Sequence, residues 1–385
     1  MRTVCKTNLC NGCMACVEKC TKRAISIVKQ AKAYNAVINS DECIECKACF
    51  NVCPRNDCDL SFLHPIKWYQ GWAKNNIFRE RGASGGVASA IMTAFIETGG
   101  YVCSCLFLHG EFVFKVSNKI EEISKFAGSK YVKSNPEGVY TQVLQLLRKG
   151  NKVLFLGLPC QVAAIKKYVG NKFQKYLYTI DLICHGTPAP ILLEKYLMDH
   201  GVNINQLRGI GFRSKNNVHI RKEIKPIVTP GIADRYLYSF LKKVNYTENC
   251  YFCQFASIKR ISNLTLGDSW GTDLSQEEQL KGISLLLAQD EKGNELIEMA
   301  SLILKPVNLE NAIKCNAQLN KAAKMPSERE KFFTLYQKGK NYDDIIFRIA
   351  PKVFIKQDIK YVLVKLHLIS VQMKHIAYTI FVDKK

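Results

Sequence analysis

Two copies of one cysteine spacing dominate the chain. Cys10, Cys13, Cys16 and Cys20 form C-x2-C-x2-C-x3-C, and Cys43, Cys46, Cys49 and Cys53 repeat it, with Pro54 directly after the last. Three cysteines at this spacing let a tight loop wrap one 4Fe–4S cube, while the fourth starts the next element and reaches the other cube. One cluster is therefore expected on Cys10, Cys13, Cys16 and Cys53, the second on Cys43, Cys46, Cys49 and Cys20. Disulfides require no such register. Paired C-x2-C units also bind zinc, but the doubled triple register points to iron–sulfur clusters and one-electron chemistry.

The rest of the 385 residues leaves ample chain for a large core, and 47% hydrophobic and 23% charged residues are ordinary for a soluble globular protein. No run of apolar residues is long enough to span a membrane, no leader precedes Cys5, and so many thiols suit a reducing cytoplasm. The formal charge of +22 overstates the balance, because each bound cube with four thiolates carries roughly −2. The remaining surplus suits an acidic coenzyme or an acidic redox partner. The lysines are scattered with no binding motif around them, so nucleic acid is not expected as a partner.

Residues 1–62 read as an α+β ferredoxin-like two-cluster domain. Residues 63–325 alternate helices and strands: a helix over 84–98 capped by Ser84, strands over 101–108 and 111–116, and a helix from Pro136 to Leu147. Buried strands follow at 153–158 and 177–183, with a helix at 161–169 between them. A helix at 191–200, strands at 261–266 and 283–288, and a helix at 290–301 complete the segment. The pattern predicts an α/β domain with a largely parallel sheet. Residues 326–385 form a basic helical tail. Peripheral membrane contact is open to such a tail, but its frequent β-branched residues and mixed polar face favour packing on the protein.

Four places combine glycine or cysteine with an element end. Gly82-Ala83-Ser84-Gly85-Gly86 leads into a helix and is either an anion cradle or a closely packed helix start; it is neither a Rossmann fingerprint nor a P-loop. Cys160 and Cys184 follow buried strands, where open α/β sheets place ligands, and Cys250 and Cys253 form a bare C-x2-C. On spacing alone these four are either a third cube or buried small side chains beside a zinc or redox pair. His185 is a proton donor or a turn residue, and Asp268 and Trp270 are flavin contacts or turn stabilisers. Cys5, Cys58, Cys103, Cys105 and Cys315 lack ligand spacing, and Cys103 and Cys105 alternate within a strand, which favours burial.

The blocks ASGGVASAI (83–91), GSKYVKS (128–134), VLFLGLPCQVAA (153–164), DLICHGTPAP (181–190), Cys250-x2-Cys253 and LTLGDSWG (264–271) occur in order. Together they resemble the coenzyme F420 hydrogenase/dehydrogenase beta-subunit family over roughly residues 1–300, in its bacterial form with an N-terminal two-cluster ferredoxin domain. The resemblance implies a flavin, usually FAD, on the α/β domain, with Ser84, Gly85, Gly86, Lys130 and Ser134 as contacts. It also implies Cys160, Cys184, Cys250 and Cys253 as ligands of a third, inner cluster. Thr21 stands where a proline is expected after Cys20. The implied activity is an oxidoreductase that exchanges electrons between the clusters and coenzyme F420 or another small organic substrate, with a ferredoxin or partner redox subunit as electron source. Some relatives lie among polysaccharide-biosynthesis genes. The alternative is an electron-transfer subunit with no substrate site, docked on a separate catalytic subunit.

Overall fold

The structure is a computed structural model that describes residues 2–56, 60–215, 217–222, 225–229, 232–366 and 368. Cys58 and the end of the tail, residues 367 and 369–385, lie outside them. The cysteine-rich segment forms a small antiparallel hairpin, β1 (Ile25–Lys29) with β2 (Tyr34–Ile38), and two short helices, Ala15–Lys19 and Ala48–Val52, each following a cluster-type cysteine loop. The following strands are β3 (Lys67–Ala73), β4 (Tyr101–Leu108), β5 (Glu111–Ser117), β6 (Val153–Gly157), β7 (Leu177–Leu182), β8 (Ile210–Ser214), β9 (Asn217–Lys222), β10 (Lys225–Pro226), β11 (Leu264–Asp268), β12 (Ser284–Ala288) and β13 (Leu302–Lys305).

Eight of these build one sheet in the order β13-β3-β12-β11-β7-β6-β4-β5. Its centre, β11-β7-β6-β4, is parallel, whereas β12, β3 and β13 on one side and β5 on the other pair antiparallel. Parallel pairing therefore holds at the centre of a mixed sheet; the β4–β5 hairpin fits the two strands expected at 101–108 and 111–116, while the antiparallel β12, β3 and β13 depart from the expected largely parallel sheet. β6 is buried along its whole length, as a strand covered on both faces must be. One face packs against the helices Val139–Arg148 and Pro159–Val169, and the cysteine-rich segment lies over that layer. The other face packs against Val87–Glu97 and Glu291–Glu298. A separate aromatic core gathers Leu192, Tyr196, Phe212 and Tyr236 with Phe332, Tyr342 and Phe354, so the helices Glu328–Gln337 and Tyr342–Ile349 are packed into the protein, while Pro351–Lys365 is anchored by Phe354 and leaves Ile355, Ile359 and Val362 exposed. Among the described residues no helix is long and apolar enough to cross a membrane.

Several expected boundaries move for identifiable reasons. The helix expected from Pro136 begins at Val139, behind Gly138 at φ 85°. Its first turn is capped from the cysteine-rich segment: Glu18 accepts from the amides of Gly138 (2.8 Å) and Thr141 (2.9 Å). A carboxylate at a helix N-terminus satisfies free amides and complements the dipole. Glu18→Ala is expected to weaken this docking by about 0.5–2 kcal/mol, read as a lower urea midpoint. An unchanged midpoint would show the cap to be incidental.

Candidate electron-relay and cofactor site

The cysteines fall into three neighbourhoods. Cys10, Cys13, Cys16 and Cys53 are all buried, Cys10 and Cys13 on one loop, Cys16 in the first turn of the helix Ala15–Lys19 and Cys53 at the end of the helix Ala48–Val52. Burial pushes the Cys13 and Cys16 thiols well up, with Cys53, Cys16 and Cys10 adding to the effect on Cys13, and Cys10, Cys53 and Cys49 to that on Cys16. Cys5, a fifth thiol that no spacing singles out, lies against Cys10 and Cys53; its hydrogen bonds are the main reason that both are lowered, Cys53 to about 7. The Gly12 amide donates to Cys10 Sγ at 3.4 Å. A second cavity is lined by Cys20, Cys43, Cys46 and Cys49. It faces outward: Cys46 is exposed, and so are Ile44 and Phe50 beside it. Cys16 and Cys49 are close enough to influence each other, so the two neighbourhoods adjoin.

Cys160, Cys184, Cys250 and Cys253 line one cavity, although 93 residues of sequence separate the first from the last. Cys160 starts the helix Pro159–Val169 behind β6, Cys184 follows β7, and Cys250 and Cys253 close a single 3-10 turn, Glu248–Phe252. Burial pushes the Cys160 thiol up to about 12 and raises Cys184 and Cys253. Thr187 donates its amide to Cys250 Sγ at 3.4 Å. The raised thiols of Cys160, Cys184 and Cys253 fit a polycationic core that would carry the thiolate charge. Among the described residues no three Cys, His, Asp or Glu side chains close on a single point suited to one metal ion. A cube, whose four irons take one thiolate each, needs a wider cage.

The cysteine-rich segment reaches this inner cavity directly. Asn11, from the first cysteine loop, and Arg55, just past Cys53, both line it. Asn249 Nδ2 donates to Asn11 Oδ1 (3.2 Å), Gln254 Nε2 to the Pro54 carbonyl (2.7 Å) and Arg55 Nη1 to the Phe252 carbonyl (2.9 Å). Behind it, Arg260 holds Asp181 through Nη2 (3.0 Å), both side chains being almost fully buried. Arg260 also donates to the Phe255 and Leu182 carbonyls, which ties the turn after Cys253 to the end of β7.

A third cavity, of about 210 Å3, opens at the carboxyl ends of β6, β7 and β11. It is lined by Gly82, Ser84 and Gly86, by the first turn of the helix Val87–Glu97, and by Tyr131, Phe240 and Trp270. No side chain caps that helix, whose N-cap is Gly86 at φ 77°; a Cβ there would meet the Phe78 carbonyl oxygen at 2.3 Å. Uncapped amides at a helix start suit a phosphate, and an aromatic wall suits a planar ring, so the residues fit a flavin. Asp268 takes two bonds from Arg213 (2.6 and 2.9 Å), and Arg213 lies over the Trp270 ring. Neither the bond nor β8, which carries Arg213, has a signal in the sequence.

The flavin contacts implied by resemblance divide. Ser84 and Gly86 line the cavity; Ser84 Oγ donates to the Ile283 carbonyl (2.7 Å) and does not cap the helix. Gly85 is packed against Gly71 and Ser284, with its amide donating to Ser284 Oγ (3.0 Å). Lys130 donates to the Phe126 and Ala127 carbonyls, and Ser134 accepts from Gln161 and lines a different cavity beside Gly12 and Lys133, so neither is in the lining of this one. Lys215, unremarked in the sequence, donates to the carbonyls of Arg79, Gly82 and Ser84 and thereby fixes the glycine loop. Burial, with Arg79 and Arg213 nearby, depresses it to about 8. The unfolded lysine then holds more protons between pH 8 and 10.5, and stability gains from this site as pH rises through that window. From pH 8 to 10 the melting temperature of wild type should rise relative to that of Lys215→Met; a constant difference would contradict the placement.

His185 lines both the inner cysteine cavity and the glycine-loop cavity. Half-buried and desolvated, it is depressed to about 4 and stands as a neutral imidazole in the wall between them at neutral pH.

Models described as the N-terminal and C-terminal parts of the coenzyme F420 hydrogenase/dehydrogenase beta subunit match residues 68–137 and 150–307, and a 4Fe-4S dicluster domain matches residues 9–56. An F(420)H(2) dehydrogenase subunit from Methanosarcina mazei is 24% identical over 190 residues, 46% of this chain and 53% of that protein. The chain thus spans about half the length of this curated relative. A xenon-derivatised F420-reducing NiFe hydrogenase complex from Methanosarcina barkeri aligns over 66% of this chain and 89% of its own, at 17% identity and a TM-score of 0.49. The chain belongs to the coenzyme F420 hydrogenase/dehydrogenase beta-subunit family and carries a 4Fe-4S dicluster domain.

Proposed function

We propose that the chain is an iron–sulfur flavoprotein oxidoreductase with three 4Fe–4S sites in line. Cys20, Cys43, Cys46 and Cys49 hold the outer cube, Cys10, Cys13, Cys16 and Cys53 the middle one, and Cys160, Cys184, Cys250 and Cys253 the inner one. The glycine-loop cavity holds FAD, with Ser84 and Gly86 at its phosphates. Bound cubes supply one-electron transfer, and a bound flavin converts between one- and two-electron chemistry. The residues do the rest. Asn11, Asn249 and Arg55 fix the distance between the middle and inner sites. Thr187 and Gly12 amides hold cysteine sulfurs in place, and Trp270 and Asp268, set by Arg213, shape the substrate side of the flavin cavity. The observation that carries this reading is His185, which lines both the inner cysteine cavity and the proposed flavin cavity.

The substrate is taken to be coenzyme F420 or another small oxidised organic molecule, as in the family; no residue bears on a link to polysaccharide biosynthesis. The test is turnover by the full chain alone, purified anaerobically and supplied with reduced methyl viologen. Loss of the F420 absorbance supports an autonomous substrate site. A second reading, a relay subunit docked on a separate catalytic subunit, is favoured by the exposed Ile44 and Phe50 beside the outer cysteines. Absence of turnover with F420 and other small acceptors, from a chain shown to hold all its cofactors, would select it.

A further inference from the structure

Lys133 belongs to neither cysteine set nor the flavin cavity, yet it lies between two of the proposed cluster sites. It is 6% exposed. Its Nζ donates to the carbonyl of Asn11 at 3.1 Å, inside the loop that joins Cys10 to Cys13. The same side chain lines the inner cavity beside Cys160. Its stem passes so close to the first cysteine loop that a Cβ on Gly12 would meet Lys133 Cδ at 3.0 Å; Gly12 leaves room for the approach. The ammonium also sits 5.4 Å from the centre of the buried Tyr34 ring, a cation–π contact. Of the other cations lining the cavity, Arg260 is paired with Asp181, while Arg55, like Lys133, donates to a neutral carbonyl, that of Phe252. Lys133 spends its hydrogen bond on a neutral carbonyl and keeps its full charge available to both sites.

We infer that Lys133 is a shared countercharge that raises the reduction potentials of the middle and inner clusters together. The inference rests on the reading of Cys160, Cys184, Cys250 and Cys253 as a cluster site. Each cube that accepts one electron gains one negative charge; no bond forms or breaks and no proton moves. A fixed positive charge in a weakly screened interior therefore stabilises both reduced forms. Placed between the two, it keeps their potentials close, which suits passage of electrons in either direction. Asn11 adds a second polar contribution. It is buried, lines the inner cavity, and its Nδ2 has no hydrogen-bond partner among the described residues, as a donor reserved for a cluster sulfur would.

The experiment is a potentiometric titration of the anaerobically purified full chain, followed by EPR, with Lys133→Met, Lys133→Gln and Lys133→Arg. Cys253→Ser and Cys46→Ser assign the inner and outer signals. The neutral variants should lower the one-electron equilibrium constants of the middle and inner centres by tenfold or more, about 59 mV. The outer centre should move less, and Lys133→Arg should stay near wild type. Unchanged potentials in either neutral variant with all irons retained would overturn the proposal. So would loss of iron from Lys133→Gln, which keeps a donor for Asn11, because the lysine would then be structural. A wild-type count of about eight irons would overturn the inner-cluster reading instead, and a fall in the middle potential alone would still support the role of Lys133.

Discussion

Cys253→Ser is expected to lower the iron content from about twelve to about eight per chain, by four irons per cube, while the two outer centres remain. Reduction of the bound flavin by dithionite-reduced clusters should then collapse, because the inner cysteine cavity is the one that His185 joins to the flavin cavity. The same substitution at Cys315, which is exposed and has no partner cysteine at ligand spacing, should leave the iron count unchanged. Iron measured on the two variants side by side separates loss of a ligand from a general sensitivity to thiol removal. Twelve irons retained in Cys253→Ser would remove the inner site from the account.

The largest stability effect is expected at Arg260. Arg260→Leu leaves the Asp181 carboxylate in a fully buried position, where the Thr265 hydroxyl is its remaining donor (2.7 Å). Asp181 Oδ2 has no hydrogen-bond partner even in the intact protein, among the described residues. Breaking a buried pair by removing one member costs about 3–5 kcal/mol, since the charge left behind cannot be solvated. The consequence reaches the cysteines, because Arg260 also ties down the Phe255 carbonyl two residues past Cys253. The double change Asp181→Leu with Arg260→Met should recover most of the loss by removing both charges. Urea unfolding of the iron-loaded chain measures both. A loss below about 1 kcal/mol for Arg260→Leu would place the pair among incidental ones.

What could be read from the sequence followed local signals. The doubled cysteine register is local, and it marked the eight thiols that fall into the two outer neighbourhoods. Continuous apolar runs marked β6, β7 and β12, because strands covered on both faces admit little else. What could not be read depends on contacts between distant segments. β3 contains Gln70 and Gly71 at its middle and gives no alternation, yet it is an inner strand. Gly71 is required by the approach of β13, since a Cβ would meet the Ile303 carbonyl oxygen at 2.2 Å. The start of the helix at Val139 is decided by Glu18, 120 residues away. Ser84 looked like a cap, but its hydroxyl is turned to the Ile283 carbonyl of a neighbouring strand. The convergence of Cys160 and Cys184 with Cys250 and Cys253 follows from parallel β6 and β7 ending at the same edge, with the turn at 248–252 folded back over them. Spacing carries none of that. Lys130 and Ser134 lie in a block that resemblance marked, whereas the cations engaged around the glycine loop and its cavity are Lys215 and Arg213, from a hairpin with no motif.

The central claim is that three clusters and one flavin lie in series in this single chain. Anaerobic purification of the full chain, with iron, sulfide and flavin counted per chain, tests it most directly. The account predicts about twelve irons, about twelve sulfides and one flavin, by four irons per cube. About eight irons with no flavin, in a preparation shown to have lost no cofactor, would contradict it.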